Sequence, residues 1–220
     1  MGQAPATATR RHDLEQTSAD VALRALAADD AQAAREAIPG ILEEERPIHD
    51  LYGDMCASFL TFIADKLGED AVDEAWRYVA DDVWKPVLMA FKEQNDTAGL
   101  AQAFAAFLIS HRYDFQVLED EERWTFEVAW CSSGERMVAE GKVADAGGSD
   151  TGHHRFGSTG AAHPWSLGYE HFPYYDVHSA LWMKLLPREW GWDVMDVEYD
   201  RKAHGGLGVV RYLIYKAPRS

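Results

Sequence analysis

The stretch FQVLEDEERWTFEVAWC, residues 115–131, is where the chain changes its period. Before it, apolar residues recur at helical spacing. Within it, Trp124, Phe126, Val128 and Trp130 alternate with Thr125, Glu127, Ala129 and Cys131, so it reads as a β-hairpin with a charged tip from Glu119 to Arg123. Period two places Cys131 on the face opposite the tryptophans, beside Glu127, where it meets either solvent or the floor of a polar cleft. A second pair of strand candidates, Trp192 to Tyr199 and Val209 to Tyr215, closes the chain around a Gly205-Gly206 turn. Between the pairs, Tyr174, His178, Leu181, Trp182 and Leu185 share a helical stripe that Pro173 begins and Pro187 ends. The spacing therefore predicts an α+β domain, with N-terminal helices packed on an antiparallel sheet of about four strands and one helix between the strand pairs.

Working toward the N-terminus, Leu100, Phe104, Phe107, Leu108 and His111 mark a helix entered through the caps at Asn95-Asp96-Thr97. The helix dipole accounts for His111 at its C-terminal end. Residues 70–91 are amphipathic, and Pro86 inside them predicts a kink or a junction of two helices near Trp84-Lys85. After Pro47, a stripe from Ile48 through Met55 and Phe59 to Leu67 predicts a strong helix stopped by Gly68. Residues 19–44 read as a helical extension suited to the outside or to a second subunit, with Pro39-Gly40 as a stop. Residues 1–18, small and polar, read as a disordered leader, and 45–220 as a single domain.

The 220 residues carry a net charge of -16, which repels phosphate backbones and anionic lipid surfaces. Nucleic acid and membrane are therefore excluded as expected partners. A small molecule is the expected one, and a homo-oligomer remains an open option. No stretch has the length of a membrane span and the opening residues lack a secretory signal core, so the expected location is the cytoplasm, with Cys56 and Cys131 reduced.

Chemistry-bearing residues gather in the C-terminal half. Residues 163–194 hold three of the nine histidines and half of the eight tryptophans, the composition of an aromatic-walled pocket and equally of an aromatic core. Trp165, Tyr175 and Trp182 are the candidate walls. In WCSSGERM, Cys131 leaves a strand toward Gly134, and Arg136 follows as a cation for a thiolate or for a substrate carboxylate. A His178 within reach would act as base to a Cys131 nucleophile, and Cys131 would then alkylate faster than Cys56. The other reading makes Cys131 a half-buried thiol and His178 a satisfied core residue. A third set, Cys131, His171, Asp176 and His178, with His163 as an alternative ligand, offers donors that zinc or another divalent metal accepts, although none has tight ligand spacing. Six glycines between Gly141 and Ala162, with His153-His154 among them, make a long loop that is a lid or a plain exposed connection.

Cys131-Ser132-Ser133-Gly134-Glu135-Arg136, Pro164-Trp165-Ser166-Leu167-Gly168, the helix start from Phe172 to His178 and the terminal Tyr212-Leu213-Ile214-Tyr215-Lys216 together resemble a poorly characterised bacterial family. That family carries a Cys-Gly-Ser-Gly-Gly-Arg turn and a Tyr-Tyr-x-x-His helix. More distantly, the arrangement is similar to the L-2-amino-thiazoline-4-carboxylic acid hydrolase and vinyl-reductase-like domains. The resemblance spans about 45 to 216 and picks out Cys131, Gly134, Arg136, Tyr175 and His178. It implies hydrolysis of a C–N or C–S bond in a carboxylate-bearing aromatic or heteroaromatic compound, with a non-catalytic small-molecule or metal sensor as the alternative. The chain departs from the pattern at Glu135, Asp176 and Ser179, where the relatives have glycine, cysteine and cysteine, and this weakens a thiolate-rich metal site.

Overall fold

A computed structural model describes residues 15–146, 155–201 and 206–219. The chain divides into two compact units, Met1–Leu51 and Tyr52–Ser220. In the first, α1 (Ser18–Ala27) starts at Thr17, whose side chain accepts from the Asp20 N–H in a capping box. The next helix, α2 (Ala31–Leu67), contains both Pro39 and Pro47, so the stop expected at Pro39-Gly40 does not occur. The reason is tertiary: Glu44 accepts from the Ser18 N–H and hydroxyl at 2.7 Å each, and a Cβ on Gly40 would meet Ser18 Oγ at 2.3 Å. Gly40 is there to let α1 approach, and it does not end the helix.

In the second unit the stop signals act where the sequence puts them. Gly68 takes φ +93° after α2, and α3 (Asp70–Val83) gives way at Trp84 to α4 (Lys85–Gln94), with Pro86 in its first turn. Asn95 adopts a left-handed conformation and Asp96 caps α5 (Thr97–Ser110) through the Gly99 N–H at 2.8 Å. His111 caps its other end, Nδ1 lying 2.9 Å from the Phe107 carbonyl. Then come β1 (Asp114–Glu119), β2 (Arg123–Trp130), the short α6 (Gly134–Ala139) and a 3-10 turn at Pro164–Ser166. A helical run from Val177 to Glu189 and the hairpin β3 (Met195–Arg201) and β4 (Leu207–Tyr215) complete the chain.

The two hairpins join into one antiparallel sheet of order β1-β2-β4-β3, so the fold is α+β with the helices first. Phe126 pairs with Tyr212 across β2 and β4, and Phe104 of α5 meets both rings edge-on, at 5.2 and 5.1 Å. That contact fixes the helical layer on the sheet.

The run after Pro173 departs from the single helix expected over 174–186. It is one turn of α-helix (Val177–Ala180), a π turn (Leu181–Leu185) and a last α turn (Leu186–Glu189) that carries Pro187 within it. In π register, the missing Pro187 N–H would have bonded the Trp182 carbonyl. The Trp84 indole N–H takes that carbonyl instead, at 2.9 Å.

That bond belongs to a series. Trp76 Nε1 donates to Tyr174 O at 2.9 Å, Trp84 Nε1 to Trp182 O and Lys92 Nζ to Trp190 O at 2.7 Å, each across 98 residues. Donors eight residues apart, on α3, at the Trp84 junction and on α4, therefore meet acceptors eight apart on the C-terminal run. The two stretches lie side by side in fixed register, which holds the 174–190 segment in place.

Candidate active site

Cys131 is the first residue beyond β2, so period two no longer governs it. Instead of sharing a face with Glu127, it turns into the core and is 3% exposed. The turn is held by the side chain of Glu135, which accepts from the Cys131 N–H at 3.0 Å, and by the Arg136 N–H, which donates to the Cys131 carbonyl at 3.2 Å. The thiol donates to the Tyr113 hydroxyl at 3.0 Å, and that hydroxyl lies 3.3 Å from the Tyr212 hydroxyl. Burial raises the pKa values of Tyr113, Tyr175, Tyr199 and Tyr212, so all four stay neutral hydroxyls at physiological pH. The Ser179 side chain offsets part of the pKa rise of Tyr212 and Tyr199, and the Ser133 side chain does the same for Tyr175.

Asp176 is, with Glu135, one of two buried carboxyls in this patch. Its carboxyl rests on Gly134, where a Cβ would come within 1.9 Å of Oδ1. Burial first, and the nearby Glu135 second, push its pKa up to about 7. Burial raises the Cys131 thiol, and the Asp176 charge adds to the rise. The patch thus offers a carboxyl that can give or take a proton near neutrality, a protonated thiol and a set of neutral hydroxyls.

His178 does not touch the thiol. Its ring packs against Trp76, Tyr175 and Trp182, with centroids 4.9, 5.0 and 5.5 Å away. Nδ1 is bonded to the Tyr175 carbonyl and Nε2 lies 3.5 Å from Ser179 Oγ. Burial lowers its pKa to about 4, so it is neutral at pH 7. The expected direct pair does not form: the thiol's partner is the Tyr113 hydroxyl, which in turn neighbours that of Tyr212.

Arg136 faces α2 rather than the thiol. It donates to Asp54 at 2.7 Å, to Glu140 at 2.8 Å and to the Ser132 carbonyl at 3.0 Å, while Lys142 bridges the same two carboxylates at 2.7 and 2.8 Å. The short α6 aims it there. Trp165 is a core residue stacked on His163 at 4.2 Å, and His163 Nε2 lies 3.0 Å from Glu69. His171 sits at φ +56°, its N–H on the Thr159 carbonyl. Among the described residues, no three His, Cys, Asp or Glu side chains come together in a way that could hold a metal ion, so Cys131, His171, Asp176 and His178 do not assemble as a ligand set. His153-His154 lies outside the described residues. No helix among the described residues is long and apolar enough to cross a membrane.

The sequence marks Cys131, Asp176 and Tyr175 of this patch, but not Tyr113, Ser179, Tyr199, Tyr212 or Glu135. Tyr199 and Tyr212 occupy inward strand positions where they read as core aromatics, and nothing in period or spacing shows that their hydroxyls converge. The chain matches no known family, no curated protein and no solved structure.

The burial of both thiols reverses the order of reactivity expected from the strand-end position of Cys131. Cys56 is partly buried with its pKa raised to about 11, and Cys131 is enclosed. In the native protein at pH 8, Cys56 should alkylate about two to three powers of ten more slowly than an exposed thiol, because so little of it is thiolate, and Cys131 should alkylate more slowly still. Time-resolved mass spectrometry of the labelled peptides checks this. Faster labelling at Cys131 would show that the core opens at that point.

Proposed function

We propose that the chain is a small-molecule enzyme, a hydrolase of a C–N or C–S bond in a carboxylate-bearing aromatic or heteroaromatic compound. The observation that carries the reading is the Asp176 carboxyl, buried against Gly134 in the turn that follows Cys131, with a pKa of about 7. A carboxyl so placed serves as general acid to a departing nitrogen or sulfur, and as general base to water once ionised. The hydroxyls of Tyr113, Tyr199 and Tyr212 orient and polarise the substrate. Arg136 would reach a substrate carboxylate by exchanging Glu140, the more exposed of its two carboxylate partners. The bond type rests on the resemblance of the turn at Cys131 and the Tyr-Tyr-x-x-His segment to the thiazoline-carboxylate hydrolases.

The second reading is a non-catalytic binding domain. It is favoured by the raised thiol and by the neutral His178, neither of which suits a thiolate–imidazole nucleophile.

The test is turnover of 2-aminothiazoline-4-carboxylate, whose ring is not aromatic, and of heteroaromatic carboxylates such as its thiazole counterpart, followed by release of thiol or amine. Asp176→Asn should lower turnover by roughly two to four powers of ten with the fold intact, the usual contribution of a positioned acid or base. Saturable binding without turnover by the wild type would sink the enzyme reading in favour of the binding domain.

A further inference from the structure

The helical layer holds a second concavity that the polar patch does not use. It is a cleft of about 290 Å³ between α4, α5 and the π turn. Its floor is made by Leu100, Phe104 and Met183, all nearly fully buried. Its rim is made by exposed Val87, Ala103 and Phe107. A buried floor with an exposed rim is a pocket rather than a flat patch.

Two indoles form one wall. The rings of Trp84 and Trp182 lie 6.4 Å apart and within 12° of parallel. Both indole N–H groups are already committed, Trp84 to the Trp182 carbonyl at 2.9 Å and Trp182 to the Trp76 carbonyl at 3.3 Å. The remaining lining is aliphatic or phenyl, so the cleft offers a ligand neither a side-chain donor nor a charge. Any polar group held inside would lose its water without replacement, and a charged one would lose most.

Size narrows the class. An apolar cavity of roughly 150 Å³ takes up benzene, and this one is about twice as large. We infer that the cleft is a binding site for a neutral, planar aromatic compound of about two fused rings, seated against the Trp84–Trp182 wall. The site does not depend on the proposed hydrolase activity, since none of its residues belongs to the Asp176 patch. A π turn inside an α-helical run often marks a functional position, and here it sets both Trp182 and Met183 into the cleft.

The experiment is equilibrium dialysis of the full chain against naphthalene, with 2-naphthoate as the charged counterpart of similar shape. Naphthalene should bind at one site per chain, and 2-naphthoate at least tenfold more weakly. Ala103→Trp and Val87→Trp, both at exposed rim positions, should each fill the mouth and weaken naphthalene binding at least tenfold while leaving the melting temperature near that of the wild type. Ala106→Trp, also exposed on α5 but outside the cleft, should bind as the wild type does. Equal binding of the two probes, or unchanged binding in both rim variants, overturns the proposal. So does absence of naphthalene binding, including the case where sedimentation shows a dimer that Ala103→Trp dissociates, because the cleft would then be a contact between copies.

Discussion

Asp176→Asn should stabilise the folded chain by about 2 to 4 kcal/mol at pH 8 and by close to nothing at pH 4. The sign follows from the direction of the shift. The carboxyl has a pKa of about 7 when folded, against an ordinary value of 3.8. Below about pH 4 both states hold the proton and folding feels no difference. Between pH 4 and 7 the folded state keeps a proton that the unfolded state has lost, so stability falls as pH rises through that window, and above 7 the loss is complete. A neutral amide of nearly the same shape removes the dependence. His178 works in the opposite sense: with its pKa lowered to about 4 from 6.5, its stability contribution is lost as pH falls through that range. In the wild type the two slopes oppose each other between pH 4 and 6.5, and in Asp176→Asn only the histidine slope remains. Urea unfolding of both proteins from pH 4 to 8 measures it. A stability difference that stays constant across that range would mean that Asp176 does not titrate differently in the two states.

Gly134→Ala should destabilise by about 2 to 4 kcal/mol, a fall in melting temperature on the order of 5 to 15 °C for a chain of this size. The added methyl would lie 1.9 Å from Asp176 Oδ1 and 2.6 Å from Cγ, far inside contact distance. Asp176 is 5% exposed and cannot swing into solvent, so the strain falls on the turn that positions Cys131 and on the start of α6. A double-mutant cycle separates this from ordinary helix effects. In an Asp176→Ala background the same glycine substitution should cost little, giving a coupling of more than about 1 kcal/mol. Additive effects would rule out the close approach as the cause.

The sheet and most helix ends were legible because they follow from local chemistry. Alternation at Trp124, Phe126 and Val128, the left-handed stops at Gly68 and Asn95 and the Asp96 cap need only near neighbours. Pro39-Gly40 misled because a residue twenty or more positions away, Ser18, decides whether Gly40 breaks the helix or receives a neighbour. Cys131 misled by one residue: the strand ends at Trp130, and the alternation that would have turned the thiol outward ends with it. The gathering of the Ser179, Tyr212 and Tyr113 hydroxyls was out of reach for a different reason. It draws on the π-interrupted run, on β4 and on the link before β1, and only the folded register brings those together.

The three bonds from Trp76, Trp84 and Lys92 to carbonyls 98 residues downstream also set an order of events in the cell. At a synthesis rate of about 5 to 20 residues per second, the three donors leave the ribosome roughly 5 to 20 seconds before their acceptors exist. Until then the indoles of Trp76 and Trp84 have no partner strip to dock on, and the nascent half-chain presents its aromatic face to whatever is nearby. Such sequence-distant pairing makes for slow folding, because a long loop must close before any of the three contacts forms. A nascent chain stalled before residue 174 is therefore a natural client for a chaperone that holds apolar helices, and emergence of residues 174–190 is the step that lets these contacts form.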